Sequence, residues 1–471
     1  MKSSTFRRVL AAAGGLALPA AAIIATGSPA AAAATTATSR TLPPGTVFTP
    51  RPADAGATQQ IAQLRASGDT TDASRLQKVV NTPQAFWLTG GDPSDVQQQV
   101  SGIVANDNGT VPTLVLYDVP GRDCGSYSAG GAGTDAAYQA WVDGVDAGLG
   151  QATAVVLVEP DGLSKLPSDC GSAYPGQDVA ALTQARINDI SYAAAQTESR
   201  DPNALVYLDA GNSDNQSVGT MASRLAQAGV ADVQGFFLNA SNYQYANNSD
   251  YYGTWISDCL AYATGDNSTG TPVSDGNFGN CGDQYWSGGP ANNWTGSTLS
   301  PYGKWTPTAS NADLNTSGVT SRFASELGSV QPESQFVVDT SRSGDGPNSM
   351  TGYESAPYDQ SPSTATDLQA GGWCNSTGAG TGPLPQVDPS PGAFPLLAAY
   401  LWVKTVGESD GQCNIAGQAR TWDYSAYNPW GWDATGQQTN DPLWGVEDPA
   451  AGTWFPQQAL QLATNAVQLP S

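Results

Sequence analysis

Five aspartates lie at or shortly after the ends of apolar runs that read as buried strands: Asp123, Asp161, Asp209, Asp339 and Asp410. Hydrolysis of a glycosidic bond needs a protonated carboxylic acid for the leaving oxygen and, in the inverting version, a second carboxylate that activates water. The chain has no histidine, which excludes Ser-His and Cys-His nucleophiles and histidine-ligated metal sites. Taken singly, an aspartate at a strand end is more often a helix cap or an ion-pair partner, so the constellation carries the argument.

The elements that position these residues follow from hydrophobic periodicity. Seven short apolar, β-branched or aromatic runs predict strands, although the last could equally be helical: Gln84–Leu88, Thr113–Tyr117, Ala154–Glu159, Leu205–Asp209, Gly235–Leu238, Gln335–Asp339 and Pro395–Val403. Segments with helical spacing lie between them, at 95–103, 136–147, 179–195, 218–227 and 317–327. Alternation of strand and helix predicts an α/β fold, a distorted parallel β/α barrel of about seven strands with its site at their carboxyl ends.

Two long segments do not fit an economical barrel. Residues 244–312 and 411–448 are rich in Gly, Asn, Trp and Tyr and lack periodicity. Loops of this length in a compact domain usually cover or bind something, so we expect long active-site loops here.

Composition restricts the partners and the domain number. The 471 residues carry a formal net charge of -24, so we expect neither nucleic acid nor an anionic membrane surface as a partner. Hydrophobic residues make up 39 % of the chain, enough for a large core. Neither a repeat nor a Pro/Thr-rich linker follows the Ala/Thr-rich tail, which favours one large domain. We expect the protein to be a monomer.

The amino terminus has the pattern of a signal peptide. Lys2, Arg7 and Arg8 precede an Ala-rich apolar stretch, and small residues at 30–34 suit signal peptidase. A membrane anchor is the alternative, disfavoured by Pro19 and the Gly and Pro at 27–29. We therefore expect a secreted protein with a signal peptide at 1–34, a tail and lead-in helix at 35–80 and one catalytic domain at 81–471.

Six cysteines in an exported chain suggest three disulfides, with 15 possible connectivities. Sequential pairing would close three separate loops, through Cys124 with Cys170, Cys259 with Cys281, and Cys374 with Cys413. A metal cluster is the alternative, but no CxxC pair is present, so we expect no metal. GxGxxG and P-loop motifs are also absent, so no cofactor is implied.

Eight segments resemble, in order, those of glycoside hydrolase family 6, the inverting β-1,4-glucanases that include endoglucanases and cellobiohydrolases. They are YDVPGRDCG at 117–125, VEPDGL at 158–163, YLDAG at 207–211, LNASNY at 238–243, VVDTSRSGDGP at 337–347, WCN at 373–375, WVKTVGESDG at 402–411 and AGTWFPQQA at 451–459. The resemblance runs from about Gln84 to the carboxyl terminus. It implies a β-glucan polysaccharide or oligosaccharide as the substrate.

The resemblance also implies roles for individual residues. Asp161 matches the general acid, and Asp123 matches the neighbouring carboxylate that raises the pKa of the acid or relays its proton. Tyr117 and Arg122 would position this pair. Asp410 matches the candidate base, which in this family often acts through a chain of waters.

Further positions match sugar-binding residues of the family. Those for stacking or hydrogen bonding are Trp87, Thr89, Asn212, Asn239, Trp373, Lys404 and Glu408. The family also implies that Cys124 with Cys170 and Cys374 with Cys413 hold the catalytic loops, whereas the pair of Cys259 and Cys281 looks like an addition.

The sequence departs from the family after Gly211. Asn212 stands where the family usually has His, and Asn215 stands where a Trp on the leaving-group side is expected. The altered segment favours two alternatives to a cellulase: a carbohydrate-binding homologue without turnover, or a hydrolase of another β-glucan.

Overall fold

The architecture is a curled, mostly parallel sheet surrounded by helices. A computed structural model describes residues 40–265, 277–355, 361–369, 372–413 and 444–470. The described residues form eight strands: β1 Phe86–Leu88, β2 Thr113–Leu116, β3 Ala154–Val158, β4 Ala204–Asp209, β5 Gly235–Leu238, β6 Gln335–Asp339, β7 Gln386–Val387 and β8 Leu397–Leu401. They also form ten α-helices: α1 Ala55–Ala66, α2 Thr70–Asn81, α3 Pro93–Ala105, α4 Asp135–Leu149, α5 Val179–Arg200, α6 Val218–Gln227, α7 Ala246–Thr264, α8 Ser317–Glu326, α9 Pro362–Gln369 and α10 Pro456–Thr464.

The strand order is β1-β2-β3-β4-β5-β6-β8-β7, and every pairing is parallel except that of β7 with β8. The predicted parallel α/β barrel is confirmed, with one more strand than the seven expected. The run at 395–403 forms strand β8 rather than a helix. The sheet is nearly closed, since the backbone N–H of Ala85 donates to the carbonyl of Trp402 across 2.9 Å where the first and last parallel strands meet.

Alternate residues of each strand pack into different cores. Leu114, Val156 and Leu208 face the surrounding helices, in a core completed by Trp141 and Trp255. Val115, Leu157, Tyr207, Phe237 and Leu401 face inward and fill the barrel. Strands buried on both sides read as continuous apolar runs, which is why the periodicity identified them.

The amino-terminal segment holds two helices, α1 and α2, rather than one. They pack with α10 in a core that contains Leu76, Trp402, Trp454 and Leu462. None of the helices in the described part of the chain is long and apolar enough to cross a membrane.

The expectation that 244–312 lacks regular structure is wrong, because α7 occupies Ala246–Thr264. Tyr252, Trp255 and Ile256 of this helix are buried, and the Trp255 ring stacks on that of Trp305 at 5.7 Å. Tertiary packing thus stabilises a helix whose sequence has weak intrinsic propensity. Most of the second segment, residues 414–443, lies outside the described residues.

The six cysteines form three disulfides, as predicted, and the sequential pairing is the one present among the 15 possible connectivities. Cys124 pairs with Cys170, Cys259 with Cys281, and Cys374 with Cys413, with Cα atoms 6.2, 5.7 and 5.9 Å apart.

Candidate active site

A cleft of about 750 Å³ lies at the carboxyl ends of the strands. Of the twelve residues predicted to react with or bind the substrate, eleven line it: Trp87, Thr89, Tyr117, Arg122, Asp123, Asp161, Asn212, Trp373, Lys404, Glu408 and Asp410. Parallel strands bring their carboxyl ends to one edge, so residues distant in the chain meet here.

The remaining residue, Asn239, does not line the cleft. Its side chain is fully buried, where its amide donates to the carbonyl of Asp339 at 2.9 Å and accepts from the N–H of Gln244 at 3.2 Å. These contacts join the ends of β5 and β6, so the described role of Asn239 is to shape the rim.

Two of the five aspartates at the rim organise backbone rather than face the cleft. Asp209 accepts from the N–H groups of Leu163 and Ser164, at 3.1 and 2.8 Å. Asp339 accepts from those of Ser241, Ser341, Val403 and Lys404. Each carboxylate thereby joins the loops of neighbouring strands.

Glu159, at the end of β3, has the same structural role. It is fully buried and accepts from the N–H groups of Asp118 and Val119, at 3.0 and 3.1 Å. Burial raises the pKa of Glu159 to about 7 and that of Asp209 to about 6, against the opposing effect of these hydrogen bonds.

Asp123 and Asp161 occupy turns after β2 and β3 and share one cation. The ammonium of Lys165 lies 3.3 Å from Asp161 Oδ2 and 3.8 Å from Asp123 Oδ1. Burial raises the pKa of Asp123, with a contribution from Asp161, whereas Lys165 opposes the rise. The pKa of Lys165 is itself raised, first by Asp161 and then by Asp123 against the effect of burial. The three groups therefore form one charge cluster, with Lys165 paired to both carboxyl groups.

The backbone around this charge cluster is unusual. Six non-glycine residues at the rim have φ between +51° and +66°: Asp123, Cys124, Glu159, Asp161, Asn239 and Ser241. Such conformations cost free energy and cluster at functional sites, where packing holds a side chain in a required direction. The disulfide of Cys124 with Cys170 fixes the turn that carries Asp123.

Tyr117 and Arg122 form the wall beside Asp123. The guanidinium of Arg122 lies 4.6 Å from the centre of the Tyr117 ring, and its Nε donates to the carbonyl of Ser128 at 2.9 Å. Trp87 contacts Tyr117 edge to face at 5.3 Å. Burial raises the pKa of the Tyr117 phenol well above its usual range, so this hydroxyl stays protonated. Burial also raises the pKa of Asp118 to about 6, although Arg122 opposes the rise.

Asp410 lies in a contrasting environment. Arg342 Nη1 contacts both carboxylate oxygens, at 2.9 and 2.8 Å, and the Lys404 ammonium lies 3.6 Å from Oδ1. The Tyr243 hydroxyl and the N–H of Asn375 donate to Oδ2, at 3.1 and 3.0 Å. Burial favours the neutral acid, but the two cations hold the pKa of Asp410 below its ordinary value. Asp410 is thus an ionised carboxylate at neutral pH.

Trp373 stands next to the disulfide of Cys374 with Cys413. The Lys165 ammonium lies 5.1 Å from the centre of its ring, and the Tyr127 ring lies 5.9 Å away on a tilted plane. The side chain of Tyr127 donates to the carbonyl of Cys413 at 3.1 Å, which ties the Trp373 loop to the loop after Asp123.

The sequence reasoning missed Lys165 and Arg342, the cations that pair with the cleft carboxylates. Both had a signal: Lys165 is four residues after Asp161, a spacing typical of ion pairs, and Arg342 follows Asp339 in a segment already matched to the family. It also missed Arg51, whose guanidinium lies 3.3 Å from Glu408.

Within the described part of the chain, His, Cys, Asp and Glu side chains form no group of three or more that could hold a metal ion. The side chains that line the cleft offer acid-base catalysis by carboxylates, flanked by aromatic rings and hydrogen-bonding groups.

A model of the glycosyl hydrolases family 6 matches residues 45–466. The chain belongs to this family. Endoglucanase A of Cellulomonas fimi is 30 % identical over 405 residues, which are 85 % of this chain and 58 % of that protein. Endoglucanase 1 of Streptomyces halstedii is 29 % identical over 352 residues, 74 % of this chain and 77 % of that protein. The chain thus spans less than two thirds of the length of the Cellulomonas relative.

Solved structures of family 6 agree with the fold. The endoglucanase Cel6 of Mycobacterium tuberculosis, in complex with methyl-cellobiosyl-4-deoxy-4-thio-β-D-cellobioside, is 28 % identical, with a TM-score of 0.55. The match covers 89 % of this chain and 97 % of that one. The catalytic core of the cellobiohydrolase Cel6A from Chaetomium thermophilum, at 22 % identity and a TM-score of 0.51, supports the fold alone.

Proposed function

We propose that this family 6 member is a secreted glycosidase that hydrolyses β-1,4-glucosidic bonds in cellulose or related β-glucans with inversion. One observation carries the proposal: the cleft holds two carboxylates whose pKa values are shifted in opposite directions. Asp123, coupled to Asp161, has a raised pKa, whereas Asp410 has a lowered one. Such a separation lets one carboxyl group keep a proton while another stays ionised at the same pH. The relatives named as endoglucanases support β-glucan as the substrate.

In the proposed mechanism, Asp161 donates a proton to the leaving glycosidic oxygen. Asp123 assists as the neighbouring carboxyl group that holds and relays a proton, because two nearby carboxyl groups cannot both ionise freely. Asp410 acts as the base for the attacking water. Both of its oxygens already accept hydrogen bonds from protein groups, which supports action through a chain of waters rather than by direct contact.

Trp87 and Trp373 provide apolar faces for pyranose rings, and Lys404, Glu408 and Asn212 provide groups for the sugar hydroxyls. Thr89 lies on the same wall as Trp87. We assign no cofactor, because a carboxylic acid that protonates the leaving oxygen and a carboxylate that takes a proton from the attacking water supply the groups that this hydrolysis needs.

The test of this assignment is Asp161→Asn. We expect kcat on soluble cellulose derivatives to fall by about two to four orders of magnitude, because an amide cannot donate the proton, with substrate binding nearly unchanged. Asp92→Asn is the matched control, since Asp92 is exposed and makes no capping hydrogen bond at α3. If Asp161→Asn retained a tenth of normal turnover, the acid would be another residue.

One observation favours a second function, a carbohydrate-binding homologue without turnover. The carboxyl group of Asp161, the assigned acid, is engaged in an ion pair, since the Lys165 ammonium lies 3.3 Å from its Oδ2. Release of reducing sugar from cellulose derivatives, mixed-linkage glucan and xylan separates the possibilities. Binding of these polysaccharides without release of reducing sugar would identify a carbohydrate-binding homologue. Release of reducing sugar only from a glucan other than cellulose would identify a different hydrolase.

We further propose that residues 1–34 are a signal peptide removed on export and that 81–471 form the catalytic domain. The three disulfides support an oxidising, extracellular location. The core shared by α1, α2 and α10 supports including both amino-terminal helices in the same folded unit. We expect a monomer, measured by analytical ultracentrifugation.

A further inference from the structure

Exposed aromatic side chains are concentrated in one segment. Among the described residues, six large hydrophobic residues are exposed, and four of these lie between 285 and 302. They are Tyr285, Trp286, Trp294 and Tyr302, whose exposed fractions are 39, 43, 52 and 40 %. We call these four the aromatic shelf. Trp141, Trp255, Trp305 and Trp402, by contrast, are almost completely buried. Exposure on the shelf is thus a local property rather than a general feature of the tryptophans.

The shelf stands on a rigid support. The disulfide of Cys259 with Cys281 joins its base to α7, and the Gln284 amide donates to the carbonyl of Gln216 at 2.9 Å. The N–H of Ser287 donates to the carbonyl of Ser297 at 2.9 Å and closes the loop between the two tryptophans.

Two glycines leave room for the indole ring of Trp286. A Cβ at Gly288 would lie 2.4 Å from the Trp286 ring, and one at Gly296 would lie 2.7 Å from its Nε1. The rings of Trp286 and Trp294 are nearly parallel, at 20°, with centres 6.4 Å apart. The two largest exposed rings are therefore held in a defined arrangement, which reduces the entropy lost when a ligand orders them.

The shelf is continuous with the cleft. Tyr302 and Asp214 both line the cleft, and the Tyr285 hydroxyl donates to the carbonyl of Asn215 at 2.7 Å. The pKa values of Tyr285 and Tyr302 are each raised to about 12, mainly by burial and next by the charge of Asp214. The carboxylate of Asp214 therefore lies near both phenols. These contacts lie at the segment where a leaving-side tryptophan was expected and Asn215 stands.

We propose that the aromatic shelf is a binding surface for a β-glucan chain that extends from the cleft on the leaving-group side. This inference rests on the proposed function, which it extends by a site beyond the cleft. Flat rings pack on the CH faces of successive pyranose units, and the phenol and carboxylate oxygens around Asp214 bind their hydroxyls. The shelf therefore supplies, from a different segment, the stacking that the segment after Gly211 lacks.

The test is a double variant, Trp286→Ala with Trp294→Ala, in the full chain. We expect affinity for a soluble β-glucan polymer, measured by retardation in native gels that contain it, to fall about two- to tenfold for each ring removed. Hydrolysis of cellotriose should be unchanged, because so short a substrate is held by the cleft. Trp286→Tyr should retain most of the affinity, since it keeps an aromatic face.

Val467→Ala is the matched control, because Val467 is 58 % exposed and lies outside the shelf. Equal retardation of the double variant and the wild type, with both folded by near-ultraviolet circular dichroism, overturns the proposal and leaves the proposed function intact. Loss of cellotriose hydrolysis in the double variant also overturns the proposal, since the rings would then support the cleft itself.

Two results for the wild type also decide the question. If the wild type dimerises through the shelf and the double variant binds the polymer as well as the wild type does, the shelf is a contact between copies of the chain and the proposal is overturned. A wild type that neither binds nor cleaves any β-glucan rejects the proposed function and this inference together.

Discussion

Replacing Lys165 by methionine should extend the activity of the protein to higher pH. The ammonium lies between Asp123 and Asp161, with the charge of Asp209 acting on it from further away. Burial and Asp161 raise the pKa of Asp123, and Lys165 lowers it. In Lys165→Met the largest lowering effect is removed and only the hydrogen bonds with Ser128 oppose the rise, so Asp123 keeps its proton to a higher pH. Because catalysis needs that proton, the alkaline limb of the kcat/KM profile should move upward.

The distances set the size of the shift. Two unit charges about 4 Å apart interact by about 1 kcal/mol in water and about 4 kcal/mol at the effective dielectric constant near a protein surface. The Lys165 side chain is 34 % exposed, so solvent screening places the effect toward the lower half of that range. Since about 1.4 kcal/mol corresponds to one pKa unit, we expect a shift of about one to two pH units.

The assay is initial-rate hydrolysis of a soluble cellulose derivative from pH 4 to 9 by wild type, Lys165→Met and Lys165→Arg. The arginine variant keeps the positive charge and should follow the wild-type profile, which separates charge from packing against Trp373. If the alkaline limb of the kcat/KM profile were the same for wild type and Lys165→Met, or moved to lower pH in the variant, the proposed effect of Lys165 on Asp123 would be refuted. A uniform loss of rate at all pH values would show that Lys165 acts on binding or folding instead.

Two further predictions concern the product and the buried ion pair. Proton NMR of fresh product should show the α-anomer first, because direct attack by water inverts a β-linkage, and early accumulation of the β-anomer would indicate a covalent intermediate. Arg342→Met should lower the free energy of unfolding by about 3–5 kcal/mol in urea titrations, since it leaves the Asp410 charge buried beside Lys404 alone. Because the folded-state pKa of Asp410 is lowered, the stabilisation that its ionised form contributes is present above about pH 4 and is lost as the pH falls further. A difference in unfolding free energy between the wild type and Arg342→Met that stayed constant down to about pH 2 would contradict this reasoning.

The strands could be predicted from simple geometry, whereas most of the cleft residues were predicted from motifs that resemble those of family 6. Continuous apolar runs become strands buried on two faces, and the parallel arrangement brings residues as distant as Trp87 and Asp410 to one edge. Helix α7 escaped prediction because its Asn, Ser and Gly residues weaken the periodic signal, while its burial against Trp305 appears only in three dimensions.

The different uses of similar carboxylates were also beyond the sequence. Asp161 and Asp209 both stand at strand ends, yet one lines the cleft and the other accepts from the N–H groups of Leu163 and Ser164. Residue type and position are alike, and only the direction of the side chain separates the two cases. The same holds for Asn239, whose amide is consumed inside the rim.

Although the chain has no histidine, its buried carboxyl groups make the free energy of unfolding depend on pH between about pH 4 and 7. Asp118, Glu159 and Asp209 have pKa values of about 6, 7 and 6 in the folded state, above those of exposed carboxyl groups. In this range the folded chain holds protons that the unfolded chain has released, so unfolding liberates protons and the contribution of these groups to stability declines as the pH rises. The formal charge of -24 is correspondingly approached only toward alkaline pH. In mildly acidic surroundings the folded protein is therefore both less negative and more resistant to unfolding than a count of its carboxylates indicates.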